Sequence, residues 1–128
     1  MVKYVIRAKK NPVTKEVKYY PQIAPVTPVT LAQIVKRIEK RSTVSSADVK
    51  AVLDALQYEV IEALQDGNSV RLGDLGSFRL SIKANGSDTL DEARSKGAKA
   101  IKAVSVQFTK SVAMREALSP SNVAFGLE

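Results

Sequence analysis

The spacing of apolar positions switches between two periods along the chain and predicts most of its elements. Residues 3–7 (Lys-Tyr-Val-Ile-Arg) and 17–20 (Val-Lys-Tyr-Tyr) are strand-like, with the turn signal Asn11-Pro12 between them, so an N-terminal hairpin is expected. Pro21, Pro25 and Pro28 then exclude regular helix and a central strand, leaving 21–28 as an extended connector or edge strand. From Thr30 the period becomes helical. Thr30 and Gln33 form a T-x-x-Q capping box, and Leu31, Ile34, Val35 and Ile38 share one face of a helix ending near Arg41. A second helix is expected from Ser46 to Asp66, with Ser45 as N-cap, Asp48 in the first turn and Gly67-Asn68 as the stop. Its stripe of Val49, Val52, Leu53, Leu56, Val60 and Leu64 is too long for the first helix to cover, and a second copy of the chain is a natural cover.

Beyond Gly67 the period returns to two. Val70 and Leu72 flank Arg71, and after a Gly73–Gly76 turn Phe78, Leu80 and Ile82 alternate with Arg79, Ser81 and Lys83. One apolar and one basic face is the pattern of a half-buried antiparallel sheet. Val104, Val106 and Phe108 mark its partner strand. The stretch between, 84–102, holds the turn Asn85-Gly86, a short helix capped by Asp88 or Thr89 and running through Ala93, and a basic end with Arg94, Lys96, Lys99 and Lys102. A last helix is expected from Val112 to Leu118, capped by Ser111 and stopped by Pro120, with 119–128 as a tail. There is no internal repeat.

Composition narrows the chemistry. The chain has 128 residues, one domain's worth, with 45% apolar residues, enough for a packed core. It has no Cys and no His, so thiol nucleophiles, disulfides, thiolate metal sites and imidazole bases are excluded. No carboxylate pair has catalytic spacing. Gly73-x-x-Gly76 is too short for a phosphate loop and leads into a strand. No enzyme, cofactor, metal or small-molecule substrate is therefore expected. The N-terminus lacks an apolar run of signal-peptide length, and no stretch reaches the roughly 18 apolar residues of a membrane helix, so a soluble cytoplasmic protein without a membrane partner is expected. Net charge is +7, and residues 1–28 carry six basic residues against one acidic. A basic surface attracts polyanions, DNA first among them.

Two helices, a hairpin sheet and a short last helix, in that order, resemble the HU / integration host factor family of bacterial histone-like proteins. Val70-Arg-Leu-Gly-Asp-Leu-Gly-Ser-Phe78 resembles that family's Gly-aromatic-Gly-x-Phe turn: Gly76 and Phe78 match, Leu75 stands for the aromatic, and Asp74 takes the place of the earlier Gly. Phe108-Thr-Lys-Ser-Val-Ala-Met-Arg-Glu-Ala-Leu118 resembles the family's terminal Phe-x-x-Gly-Lys-x-Leu-Lys segment, with Phe108 and Arg115 matching and Ser111 and Val112 replacing Gly and Lys. The resemblance covers residues 29–118. The 28-residue extension is similar to that of a divergent HU-like branch with extra N-terminal strands, where it adds strands or covers an edge.

The resemblance implies an α+β fold and an intertwined homodimer whose two sheets form a saddle for double-stranded DNA, with two β-ribbon arms reaching into the minor groove. Phe78 and Phe108 would then face the dimer core. Ser77, Arg79, Ser81 and Lys83 would lie on the DNA side, joined by Arg94, Lys96, Lys99, Lys102 and Lys110. These are phosphate contacts, which carry affinity without base information. The implied role is non-specific DNA binding and organisation of the nucleoid.

The arm departs from the family. Its tip there is of the Arg-Asn-Pro-x-Thr-Gly kind, whose Pro wedges between base pairs. Here residues 84–103 contain no Pro and do contain Asp88, Asp91 and Glu92. Asn11-Pro-Val-Thr-Lys-Glu16 resembles the missing tip, so Lys9, Lys10, Pro12 and Lys15 are either a relocated arm or part of an ordinary Asn-Pro turn. Lys36, Arg37, Lys40 and Arg41 on the first helix read as solvated surface. The competing reading is an HU-like scaffold turned into a protein-interaction or assembly module with weak or no DNA binding. An RNA-binding variant is a third, with Tyr19-Tyr20 as the one visible stacking platform.

Overall fold

The computed structural model describes all 128 residues. Its elements are β1 (Val2–Lys10), β2 (Val17–Ile23), α1 (Leu31–Arg41), α2 (Ser46–Gln65), β3 (Val70–Arg71), β4 (Gly76–Ala84), α3 (Leu90–Lys96), a 3₁₀ turn (Gly97–Ala100), β5 (Ile101–Lys110), α4 (Val112–Ala117) and β6 (Phe125–Leu127). The expected α+β class is what the chain adopts. Its strands form two separate three-stranded sheets, ordered β2-β1-β6 and β3-β4-β5.

Local chemistry sets the helix ends as the sequence predicts. Thr30 Oγ1 accepts the Gln33 N–H and Gln33 Oε1 accepts the Thr30 N–H, at 3.3 and 2.9 Å. Ser45 Oγ accepts the Asp48 N–H at 3.3 Å. At the other end of α2, the Gly67 N–H meets the Leu64 carbonyl and the Asn68 N–H the Ala63 carbonyl, both at 3.0 Å. This paired closure requires the left-handed backbone of Gly67, at φ 85°.

Two expectations are corrected. Residues 119–128 are not a free tail: Phe125–Leu127 pair in parallel with Val2–Tyr4 and close the open edge of β1. An exposed edge is a template for unwanted pairing, and Phe125 and Leu127 bring two apolar side chains to cover it. Residues 21–28 are extended as expected, and the first three of them complete the edge strand β2, which runs through Pro21 to Ile23. Pro21 fits there since β2 is an edge strand. The helix of the β4–β5 connection extends past Ala93 to Lys96.

The single chain buries very little. Five residues are buried: Ala24, Val35, Val49, Leu64 and Gly76. On α2, Leu53 and Val60 are half-buried while Val52 and Leu56 are exposed. Ile82, Val104, Val106 and Phe108 on the hairpin sheet are about half exposed or more. A 45% apolar chain with so small an interior leaves its longest helix and both sheets with uncovered apolar faces.

Candidate nucleic-acid interface

The β4–β5 hairpin sorts its side chains by register. Phe78 pairs with Phe108, Leu80 with Val106 and Ile82 with Val104, so these six lie on one face. Ser77 pairs with Thr109, Arg79 with Gln107, Ser81 with Ser105 and Lys83 with Ala103, so the other face is polar and basic. Arg79 and Lys83 are exposed on it, four residues and about 13 Å apart along the strand. Between them Ser81 Oγ accepts a hydrogen bond from Gln107 Nε2 at 3.1 Å. Its hydroxyl hydrogen remains free to donate, as does the half-buried Ser77.

The apolar face is anchored by Phe78 and Phe108, whose ring centroids lie 5.1 Å apart at a tilt of 48°. Gly76 starts this arrangement. Its φ is 152°, and a Cβ there would collide with the Thr109 carbonyl oxygen and stand 2.8 Å from the Phe108 ring. Close approach of backbone and ring thus demands glycine. Ser111 braces the same turn from the far end of β5. Its N–H donates to the Leu75 carbonyl, its Oγ donates to the Asp74 carbonyl, and the same Oγ accepts the Met114 N–H to cap α4. The residue that replaces the family's glycine therefore ties together the two segments that carry the resemblance.

The other sequence-predicted basic residues are distributed differently. Pairing passes from Lys83↔Ala103 to Ala84↔Ile101, which makes Lys102 the extra residue of a β-bulge rather than a member of the polar face. Lys110 pairs with Gly76 and lies on the Phe78 side of the sheet. Arg94 and Lys96 sit in the last turn of α3 and Lys99 in the 3₁₀ turn, all exposed. The ladder ends at Ala84 and Ile101, and residues 85–100 form a short loop followed by these helices instead of a long two-stranded arm. Asp91 and Glu92 occupy the first turn of α3.

In the N-terminal hairpin, Asn11 Oδ1 accepts the N–H groups of Val13 and Thr14, and the Asn11 carbonyl accepts the Lys15 N–H at 2.8 Å. Pro12 and Lys15 thus belong to a self-satisfied Asx turn, with Lys15 at φ 58°. Sequence reasoning missed two contributors. Ser105, Gln107 and Thr109 complete the polar face from β5, and only the register reveals them. Lys3, Arg7 and Lys18 on β1 and β2 were legible as alternation, but not as one surface.

The HU-HIG family, described as an HU domain fused to wHTH, Ig, or Glycine-rich motif, matches residues 1–124. The DNA-binding protein HU of Buchnera aphidicola subsp. Baizongia pistaciae is 32% identical over 53 residues, covering 41% of this chain and 58% of that protein. The chain spans little more than half the length of the curated relatives it matches. Among solved structures, a protein of Bacteroides vulgatus ATCC 8482, provisionally described as a bacterial DNA binding protein, aligns over 98% of this chain and 47% of its own length, with a TM-score of 0.70 and 17% identity. The HU of an Anabaena HU–DNA cocrystal aligns over 72% of this chain and 99% of its own, with a TM-score of 0.55 and 21% identity.

Proposed function

The chain belongs to the HU-HIG family of HU domains, and on that footing we propose that it is a non-enzymatic, largely sequence-independent binder of double-stranded DNA that acts as a homodimer and helps organise the nucleoid. The observation that carries the reading is the two-faced β4–β5 hairpin, with Ser77, Arg79, Ser81 and Lys83 on one side and the Phe78–Phe108 pair on the other. The polar side meets phosphates and the apolar side meets the second protomer. Residues 29–118 form the DNA-binding unit. No helix is long and apolar enough to cross a membrane. The surface contacts are electrostatic and general, because Arg and Lys on a flat strand track backbone charge and do not read base edges.

The dimer follows from what one chain leaves uncovered. Val52 and Leu56 on α2, together with Leu80, Ile82, Val104, Val106 and Phe108, are too exposed for a stable monomer, and a second copy supplies the missing apolar neighbours. Without a proline in residues 84–103, and with residues 90–100 wound into short helices, DNA is held on the saddle with little kinking. Arg94, Lys96 and Lys99, exposed in the β4–β5 connection, add further cations for the phosphates.

Fluorescence anisotropy with a labelled random duplex tests the reading. Replacing Arg79 and Lys83 together by Ala is expected to flatten the slope of log K against log salt by about 0.9 for each phosphate that is no longer neutralised. Unchanged binding by that variant removes the saddle as the contact surface. The competing reading, a protein-interaction module, draws on Asp88, Asp91 and Glu92 in the β4–β5 connection. It is favoured if the unmodified protein ignores duplex DNA.

A further inference from the structure

The β2-β1-β6 sheet also sorts its side chains into two faces. Tyr4 pairs with Ile23, Ile6 with Pro21, Ala8 with Tyr19 and Lys10 with Val17, while Val2 and Tyr4 pair with Phe125 and Leu127. That face is apolar except for Lys10 at its end. The opposite face carries Lys3, Val5, Arg7 and Lys9 from β1, and Lys18, Tyr20 and Gln22 from β2. Its four cations are exposed, and Glu16, at the hairpin end of the same face, forms no ion pair with any of them. Alternate residues of a strand are about 6.6–6.8 Å apart, less than the screening length of about 8 Å at physiological salt, so these charges act as one field.

One feature of this face is costly unless an anion sits on it. Lys9 and Lys18 are directly cross-strand partners, and like charges so placed destabilise a sheet. Neither has an ion-pair partner, since the single salt bridge of the molecule is Lys50–Asp54 on α2. The Lys9 ammonium instead lies 5.7 Å from the centre of the Tyr20 ring, which holds the charge out over the face. The hairpin end beside them is concave, about 470 Å³ in volume, and is lined by Lys9, Lys10, Asn11, Pro12, Glu16, Lys18 and Tyr20.

We infer that this face, Lys3, Arg7, Lys9 and Lys18 with Tyr20, is a second phosphate-binding surface that grips the backbone of duplex DNA independently of the β4–β5 saddle. The inference rests on the DNA-binding reading above and extends it. A row of four cations with only Val5 and Tyr20 among them matches a regular polyanion better than an acidic protein patch, whose interface would bring a broader apolar centre. The contact surface is the face of the sheet and not the tip of its turn. Lys10 alternates onto the other face of the ladder and reaches only the rim of the concave end, and Lys15 sits within the Asx turn, so neither stands in the row of face cations.

That division supplies a matched test within one hairpin. Lys9→Gln/Lys18→Gln and Lys10→Gln/Lys15→Gln remove the same charge from neighbouring positions, and the first relieves a repulsion, so loss of folding is not expected. Duplex binding is titrated at about 50 and 200 mM salt for both, with circular dichroism as the folding check. The face variant is expected to bind about tenfold more weakly at low salt, with a salt slope lower by about 1.8, while the turn variant stays within about twofold of the parent. Equal effects of the two variants overturn the inference. If Arg79→Ala/Lys83→Ala weakens binding while the face variant matches the parent, the second surface fails and the DNA-binding reading stands. If the parent protein binds no duplex, the DNA-binding reading itself falls and takes the second surface with it.

Discussion

In the β3-β4-β5 sheet the apolar face carries a tilted aromatic pair, and Gly76 and Ser111 together lock one end of its ladder to the neighbouring turn. In the β2-β1-β6 sheet the apolar face holds Tyr4, Ile6, Ile23 and Phe125 around an open groove of about 460 Å³, and the polar face sets two lysines against each other. Both obey the same period of two. What differs is how far each chain segment has been tied to its surroundings. The first sheet is built around close approaches that admit one residue type. The second is an edge-closed ribbon whose polar side is strained by its own charge. A basic strand therefore says little by itself. Its meaning depends on what the register sets opposite each cation.

The largest expected break in this comparison is at the aromatic pair. Phe108→Ala is expected to cost about 3–5 kcal/mol if a second protomer covers the ring, as for a core Phe. Urea denaturation reads this directly, and a cost below about 1 kcal/mol contradicts the dimer, because Phe108 is 49% exposed in one chain alone. Gly76→Ala comes next, at about 2–3 kcal/mol, since the new methyl group meets a backbone carbonyl that cannot move aside. The same substitution at Gly86, where a Cβ meets nothing within 4 Å, should be close to neutral and isolates the steric cause.

Smaller effects are expected in the N-terminal sheet. Phe125→Asp removes an apolar contact of β6 and should release its pairing with β1, costing about 1–2 kcal/mol. Faster hydrogen exchange is expected at the Val2 amide, which donates to the Ala124 carbonyl at 2.7 Å. Protection unchanged at Val2 would show that β6 is not needed to hold the edge. The smallest effect has the opposite sign. Lys18→Glu turns the Lys9–Lys18 repulsion into an attraction and should stabilise the hairpin by about 0.2–1 kcal/mol in a thermal melt, while weakening duplex binding. Stabilisation with undiminished binding would separate the charge pair from any DNA role.

Much of the fold could be read from the residues because its causes are local. Thr30–Gln33 and Ser45–Asp48 are caps within four residues, and Phe78-Leu80-Ile82 repeat along one strand. β6 was not legible, since a three-residue strand pairing with residues more than a hundred positions away leaves no periodic trace. The candidate site divides in the same way. Arg79 and Lys83 followed from alternation. Lys102 did not, because a bulge breaks the alternation between Ala103 and Ile101, and Lys110 was read by its charge without regard to its face. The basic surface of β1 and β2 needs Lys9 opposite Lys18, a register that the six-residue turn sets and the charge count does not.

The central claim is that the basic strand faces of this chain hold duplex DNA through its phosphates. The most direct test is a titration of the intact protein against a random duplex of about 30–40 base pairs at about 50 and 200 mM salt. The account predicts submicromolar binding at the lower concentration and a fall of at least about a hundredfold at the higher, with little dependence on sequence. Absence of binding at low salt, or an affinity that salt does not change, would contradict it.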